Sequence, residues 1–214
     1  MKQGADIDNE LDRVGQWLGI DWSRDQRHRL LRYRDWLLDE AIPAGGVGPG
    51  EAPRLFDRHI GDSLAFLRLM GPNANTLIDV GSGVGLPGIP IAIARPELSV
   101  TLIDRSERRV GLSRRAVMVL GLENVDARIA DVAKTHDVFD ITTFRASLTV
   151  DAATKAFQRL ATHAGTGIFA WSRLEHPKSP PQSVADTILT LVSEGSGVLD
   201  SPAWLLRMQR TSLR

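Results

Sequence analysis

Apolar residues in the first third of the chain recur at helical spacing: Ile7, Leu11, Val14, Trp17 and Leu18, then Leu30, Leu31, Trp36, Leu37 and Leu38. Two amphipathic helices are predicted, the second capped by Ser23. Between Ile42 and Pro53 four glycines and three prolines interrupt the pattern and predict a flexible loop. Leu55, Phe56, His59, Ile60, Ser63, Leu64 and Leu67 then make another amphipathic face, ending at Gly71-Pro72. Residues 1–71 are therefore expected to form a helical extension.

Beyond Pro72 the period changes. Short apolar runs at Thr76 to Val80, Val100 to Ile103, Val125 to Ile129, Asp140 to Phe144 and Gly167 to Trp171 read as strands. Gly88 to Arg95, Glu107 to Leu120 and Val150 to His163 read as the helices between them. Such alternation predicts a doubly wound parallel sheet with helices on both faces. Thr187 to Val192 and Ala203 to Arg210, separated by Glu194-Gly195-Ser196-Gly197, add an antiparallel hairpin. The expectation is a seven-stranded, Rossmann-like α/β domain over residues 72–214.

The strongest local pattern is Leu77-Ile78-Asp79-Val80-Gly81-Ser82-Gly83-Val84-Gly85-Leu86-Pro87-Gly88, a strand running through glycines into a helix. Glycines there let backbone approach a ligand where a side chain would block it. Asp104, at the end of the second strand, is placed to accept hydrogen bonds from both hydroxyls of a ribose. Gly83 to Gly88 also has the G-x-G-x-x-G spacing of dinucleotide folds, so a nicotinamide cofactor is one reading and a structural glycine turn another. Asp79 just ahead of the glycines would repel a pyrophosphate but suit the ammonium of an amino-acid-bearing nucleoside. Pro87 and Pro90 remove N–H donors from the helix start and weaken it as an anion cradle. S-adenosylmethionine fits these features better.

Composition narrows the chemistry. Without cysteine there is no disulfide framework, thiolate metal site or cysteine nucleophile. No metal is expected. The 26 basic and 26 acidic residues cancel, so attraction to nucleic acid would have to come from local patches. One such patch runs from Arg105 to Arg115, where five arginines face only Glu107; a solvated helix face is the plain alternative. The N-terminal region is acidic and no apolar run approaches the roughly 20 residues of a membrane span. A cytoplasmic monomer with no membrane partner is expected.

At this point the motifs resemble a known family, the bacterial small-subunit ribosomal RNA methyltransferases that modify guanine N7, also called glucose-inhibited division protein B. Arg58-His59-Ile60-Gly61-Asp62-Ser63-Leu64 is similar to its Arg-His-x-x-Asp-Ser-Leu helix, and Asp79 to Gly88 is similar to its donor loop, including the Leu-Pro-Gly ending. Asp104, Arg108-Arg109, Leu122-Glu123-Asn124, Ala130-Asp131, Phe139-Asp140 and Arg145-Ala146 continue the series in order. The resemblance implies a class I methyltransferase fold, S-adenosylmethionine as donor, and a guanosine of 16S rRNA, in the small ribosomal subunit, as acceptor. It implies donor contacts from Asp79, Gly81, Ser82, Gly83, Gly85, Leu86, Pro87, Asp104, Arg105, Ala130, Asp131 and Arg145. Acceptor contacts would come from Arg58, His59, Asp62, Arg108, Arg109 and Arg173. Arg145, at the end of the fourth strand beside the ligand crevice, is the candidate catalytic residue; an ion pair with Asp140 or another acid is its structural alternative, as core packing is for His59.

Guanine N7 has a lone pair and no proton, so transfer from a sulfonium needs alignment and no general base. The Asp/Asn/Ser-Pro-Pro-aromatic motif of amino-group methylases is absent after the fourth strand, where Thr143-Phe144-Arg145-Ala146 stands; Ser179-Pro180-Pro181 reads as a rigid loop. Two family elements are replaced: Asn-Leu-Thr by Ala44-Gly45-Gly46-Val47-Gly48-Pro49-Gly50, and Lys-Gly by Ser172-Arg173. A catalytically silent homologue that binds donor or RNA, and a small-molecule methyltransferase, are the alternatives.

Overall fold

The computed structural model describes residues 4–172, 179–180 and 182–211. Helix α1 (Gly4–Leu18) packs Leu11 and Val14 inward, and α2 (Arg24–Trp36) packs Leu30, Tyr33 and Trp36. Ser23 closes the N-terminus of α2 as a capping box: its hydroxyl accepts from Gln26 N–H at 3.1 Å, and the Gln26 carbonyl oxygen accepts from Ser23 N–H at 3.0 Å. The same glutamine amide donates to the carbonyls of Ile93 and Ala94, at 3.2 and 3.1 Å, so one side chain fastens the extension to the domain beyond it.

A π-helical turn over Leu37–Ala41 leads into the Gly- and Pro-rich segment, which is mostly exposed but touches the rest of the molecule at a few points. Val47 is buried, Gly46 N–H donates to Ala41 O at 2.8 Å, and Arg108 donates to the Ala44 carbonyl. A Cβ on Gly46 would strike the Val84 side chain, so the glycine is what lets this strap lie flat on the donor loop. The strap ends in a 3-10 turn over Pro49–Arg54. The single helix expected from Leu55 to Leu67 is instead three pieces: a π turn over Leu55–Gly61, α3 (Asp62–Ala65), and a 3-10 turn over Phe66–Leu69. Apolar spacing signals a helical segment but does not distinguish i+4 from i+5 bonding.

The sheet contains β1 (Thr76–Val80), β2 (Ser99–Asp104), β3 (Val125–Ile129), β4 (Phe139–Phe144), β5 (Ala161–Ser172), β6 (Ser183–Val184), β7 (Thr187–Glu194) and β8 (Ala203–Arg210). Their order is β3-β2-β1-β4-β5-β8-β7-β6, the first five parallel and the last three joined antiparallel. Eight strands stand where seven were expected. The addition is β6, two residues that fold back on Thr187-Ile188 and are too short to show any alternation. Helices α4 (Gly88–Ala94), α5 (Glu107–Leu120) and α6 (Val150–Leu160) connect the parallel strands; α6 stops at Leu160, short of His163, because Ala161 already pairs with Phe139.

Successive residues of each strand point to opposite faces, and the core divides accordingly. Leu77, Leu102 and Leu205 join the cluster that holds the N-terminal helices, α4 and α5; Ile78, Ile103 and Leu206 join the one under α6. No described helix is long and apolar enough to cross a membrane.

Tyr33 ties α2 to the donor loop, its buried hydroxyl donating to Val84 O at 3.0 Å. Tyr33→Phe leaves that carbonyl without a partner and is expected to cost about 1–3 kcal/mol. The urea midpoint should fall with the m value unchanged.

Candidate active site

The turn after β1 is built by backbone geometry. Gly83 and Gly85 hold φ of +59° and +101°, conformations that a side chain would strain. Gly85 and Gly88 are also demanded from within: a Cβ on the first would collide with Ile89, and on the second with Leu102. Close packing, not ligand approach, therefore fixes these two glycines, and Leu86, packed in the core, shares that role.

Beneath the turn lies Asp79, fully buried. Its carboxylate accepts from Gly88 N–H and from the Thr143 hydroxyl, both at 3.0 Å. Burial raises its pKa from 3.8 to about 7 against the pull of these two bonds and the Arg145 charge. From there Asp79 holds the loop from below.

A cavity of about 200 Å³ opens beside the turn, lined by Val80, Gly81, Ile103, Asp104, Arg105, Arg109, Ala130, Asp131, Val132, Ala146, Ser147 and Leu148. Of the residues expected to bind donor, Gly81, Asp104, Arg105, Ala130 and Asp131 line it; Asp79, Ser82, Gly83, Gly85, Leu86, Pro87 and Arg145 do not. Asp104 accepts from Gly83 N–H at 3.2 Å through one oxygen and from Ser106 N–H at 2.9 Å through the other. Each oxygen has a second lone-pair direction, which is the capacity a ribose diol requires. Ile103 O is fully occupied with the turn, taking Gly81 N–H at 2.8 Å and Ser82 N–H at 3.0 Å. The cavity thus offers an acidic hydrogen-bond acceptor beside apolar walls, a set that fits a ribonucleoside such as that of S-adenosylmethionine.

A second cavity, of about 390 Å³, lies on the other side of Ala146. Its lining joins Glu51, Arg58, His59, Asp62 and Phe66 of the helical segment to Arg145, Ala146, Ala170, Trp171, Ser172, Ala203, Trp204 and Leu205 of the sheet. Ala146 has φ +52°, a left-handed conformation rare for a residue with a Cβ and typical of ligand sites. It is the one residue lining both of these cavities.

Arg145 belongs to this second cavity. Its guanidinium donates to Arg58 O at 2.7 Å, His59 O at 3.3 Å and Ser63 Oγ at 3.2 Å, which ties it to the wall of the second cavity. It does not pair with Asp140, whose carboxylate accepts from Asn75 N–H, Thr76 N–H and the Thr76 hydroxyl. His59 sits between charges, Nε2 at 3.2 Å from Glu51 and Nδ1 at 3.4 Å from Arg145. Burial, reinforced by Arg145 and opposed by Glu51, lowers its pKa to about 4, so the ring is neutral at pH 7.

The basic helix is more engaged than its charge implied. Arg109 stands 3.7 Å from Asp104 and faces the donor cavity, Arg114 donates to Ala127 O at 2.8 Å, and Arg115 pairs with Glu40. With Arg108 on Ala44 O, these four arginines fasten α5 to its surroundings before any RNA is present. Arg173 lies outside the described residues. Sequence reasoning missed Ser147 and Leu148 in the first cavity and Phe66, Trp171 and Trp204 in the second; all but Trp204 stood within two residues of a quoted motif or of the replaced Lys-Gly position.

Known proteins match this architecture. The profile of a family described as rRNA small subunit methyltransferase G matches residues 26–174. Ribosomal RNA small subunit methyltransferase G of Pseudarthrobacter chlorophenolicus is 33% identical over 194 residues, covering 86% of this chain and 88% of that protein. Its namesake from Acidothermus cellulolyticus is 39% identical over 132 residues, 60% of this chain and 57% of that one, so the matched stretch spans little more than half of that relative. The crystal structure of a SAM dependent methyltransferase from Aquifex aeolicus shares the fold with a TM-score of 0.53 at 18% identity, over 73% of this chain and 93% of that one.

The raised pKa of Asp79 has a measurable sign. Between 3.8 and about 7 the unfolded chain has lost this proton while the folded chain keeps it, so stability falls as pH rises through that window. Relative to Asp79→Asn, which has no such proton, the wild-type urea midpoint should decline from pH 4 to pH 7. A difference that stays constant with pH would contradict the assignment.

Proposed function

The chain belongs to the rRNA small subunit methyltransferase G family, and on that premise we propose that it transfers the methyl group of S-adenosylmethionine to N7 of a guanosine in 16S rRNA. The observation that carries this reading is the pair of cavities meeting at Ala146. One offers a nucleoside-binding carboxylate and the other an aromatic and polar chamber, so two substrates can face each other across one residue. The bound donor supplies an electrophilic methyl on a sulfonium, ready for displacement along the sulfur–carbon axis.

The protein's part is placement. Asp104 takes the ribose hydroxyls, Gly81 packs against Ser147 at the rim of the turn, and Asp131 and Ala130 close the adjoining wall. Arg145 acts as a positioning residue: by holding the Arg58 and His59 carbonyls it fixes the wall against which the acceptor lies. N7 has no proton to lose, so no group in the second cavity need serve as a base. The purine becomes cationic as the methyl arrives, and a neutral His59 adds no opposing charge there. With the catalytic elements confined to orientation and electrostatics, the rate gain is the kind that proximity provides. The work takes place in the cytoplasm, on the small ribosomal subunit.

Two measurements test this. Labelled S-adenosylmethionine and small subunits lacking guanine-N7 methylation should yield a single modified guanosine, mapped by chain cleavage at the methylated base. Protein that binds donor yet labels no RNA would instead be a silent homologue. In calorimetry, Asp104→Ala should weaken donor binding about ten-fold or more, since a hydrogen bond to a charged group contributes roughly 1.5–3 kcal/mol. Unchanged affinity would remove Asp104 from the ribose.

A further inference from the structure

Three tryptophans in this protein allow a comparison. Trp22 is anchored as core residues are, 5% exposed with Nε1–H donating to Leu11 O at 2.8 Å. Trp36 is also buried and stacks on Tyr33, ring centroids 6.0 Å apart and planes 7° from parallel. Trp204 has neither kind of anchor. Its Nε1 finds no hydrogen-bond partner among the described residues, and it is only partly buried although the next two residues of β8, Leu205 and Leu206, are 2% and 0% exposed.

Its position explains the difference. Trp204 pairs with Ser172 at the end of β5, and the register shift between Ala170 and Ser172 places Trp171 at a bulge beside it. A bulge re-aims side chains at a sheet end. Both tryptophans line the second cavity, together with the shared Ala146, apolar residues such as Phe66 and Leu205, and a polar group that includes His59 and Asp62. A ligand that uses this chamber must present a flat apolar face to the indoles and a hydrogen-bonding edge to the polar side. A nucleobase has that shape and polarity, and a base inside a duplex can be methylated only once it is taken out of the stack.

Resting on the reading of the second cavity as the acceptor chamber, we infer that Trp204, assisted by Trp171, is the stacking wall that receives the flipped-out purine and sets it opposite Ala146. The indole ring is a binding contact for the acceptor and takes no part in holding the donor. Stacking on an aromatic ring tolerates any base, so this wall captures the purine while the polar side orients it.

The inference is tested with and without turnover. Trp204→Ala should raise KM for small subunits about ten-fold, the loss expected of one base–aromatic stack. Trp204→Phe, which keeps a ring, should recover most of it, and donor affinity by calorimetry should be unchanged in both variants, showing that each is folded. Separately, nitrogen-labelled protein gives one indole resonance for each of its five tryptophans. The Trp204 resonance, identified by its loss in Trp204→Phe, should move on titration with guanosine 5′-monophosphate and stay still with ribose 5-phosphate. A resonance that ignores the nucleotide overturns the inference, whatever the transfer assay gives. Absence of transfer by the wild-type protein would sink the proposed function alone, and the resonance would then decide this one.

Discussion

A carboxylate buried without an ion-pair partner among the described residues organises the ligand end of this sheet. Asp79 joins three elements: its own strand β1, β4 through the Thr143 hydroxyl, and the start of α4 through Gly88 N–H. Taking a carboxylate out of water is costly unless its lone pairs are met, so these elements must arrive together or the site does not form. Gly88 has no room for a Cβ between Leu102 and that carboxylate. The turn above it is consequently stiff, and Gly81 and Asp104 inherit fixed positions at the rim of the donor cavity.

The N-terminal segment extends the same constraint outward. Tyr33 holds Val84 by its carbonyl, Gly46 lies against the Val84 side chain, and Arg108 grips the strap at Ala44. The strap then runs on to Glu51, whose carboxylate reaches His59 in the second cavity. A single stretch of chain is therefore packed on the donor turn at one end and on the acceptor wall at the other. The family's Asn-Leu-Thr is gone from this stretch, yet its replacement keeps the contact with the loop through backbone and small residues.

Much of this was legible in the sequence, and the exceptions share a cause. Strands such as Leu77 to Val80 and Val100 to Ile103 stand out because a parallel sheet buried on both faces needs continuous apolar runs. The glycine turn and Asp104 were legible because only a few residue types satisfy such a turn. What was misread depends on contacts between distant positions. Gly85 and Gly88 look like ligand-facing glycines until Ile89 and Leu102 are seen filling the space beside them. The contact of the strap with Val84 was invisible because glycine content says nothing about what lies underneath. The hold of Arg145 on the carbonyls of His59 and Arg58 joins residues 86 and 87 positions apart, which no local pattern marks. Trp171 and Trp204 lie 33 positions apart, and no local pattern unites them until β5 and β8 pair.

The placement of β8 also governs how the molecule comes into being. It follows both β5 and β7 in the chain but lies between them in the sheet. During synthesis, β5 and β7 can therefore not be joined into one surface until β8 has emerged and slid into the gap. Until then the donor half, β1 to β4 with its glycine turn, can assemble from residues already made, while the second cavity lacks Ala203, Trp204 and Leu205. A nascent chain thus acquires a place for one substrate well before it has a place for the other, and a chain stalled in between would carry an exposed apolar strand edge, the kind of surface that chaperones and proteases recognise.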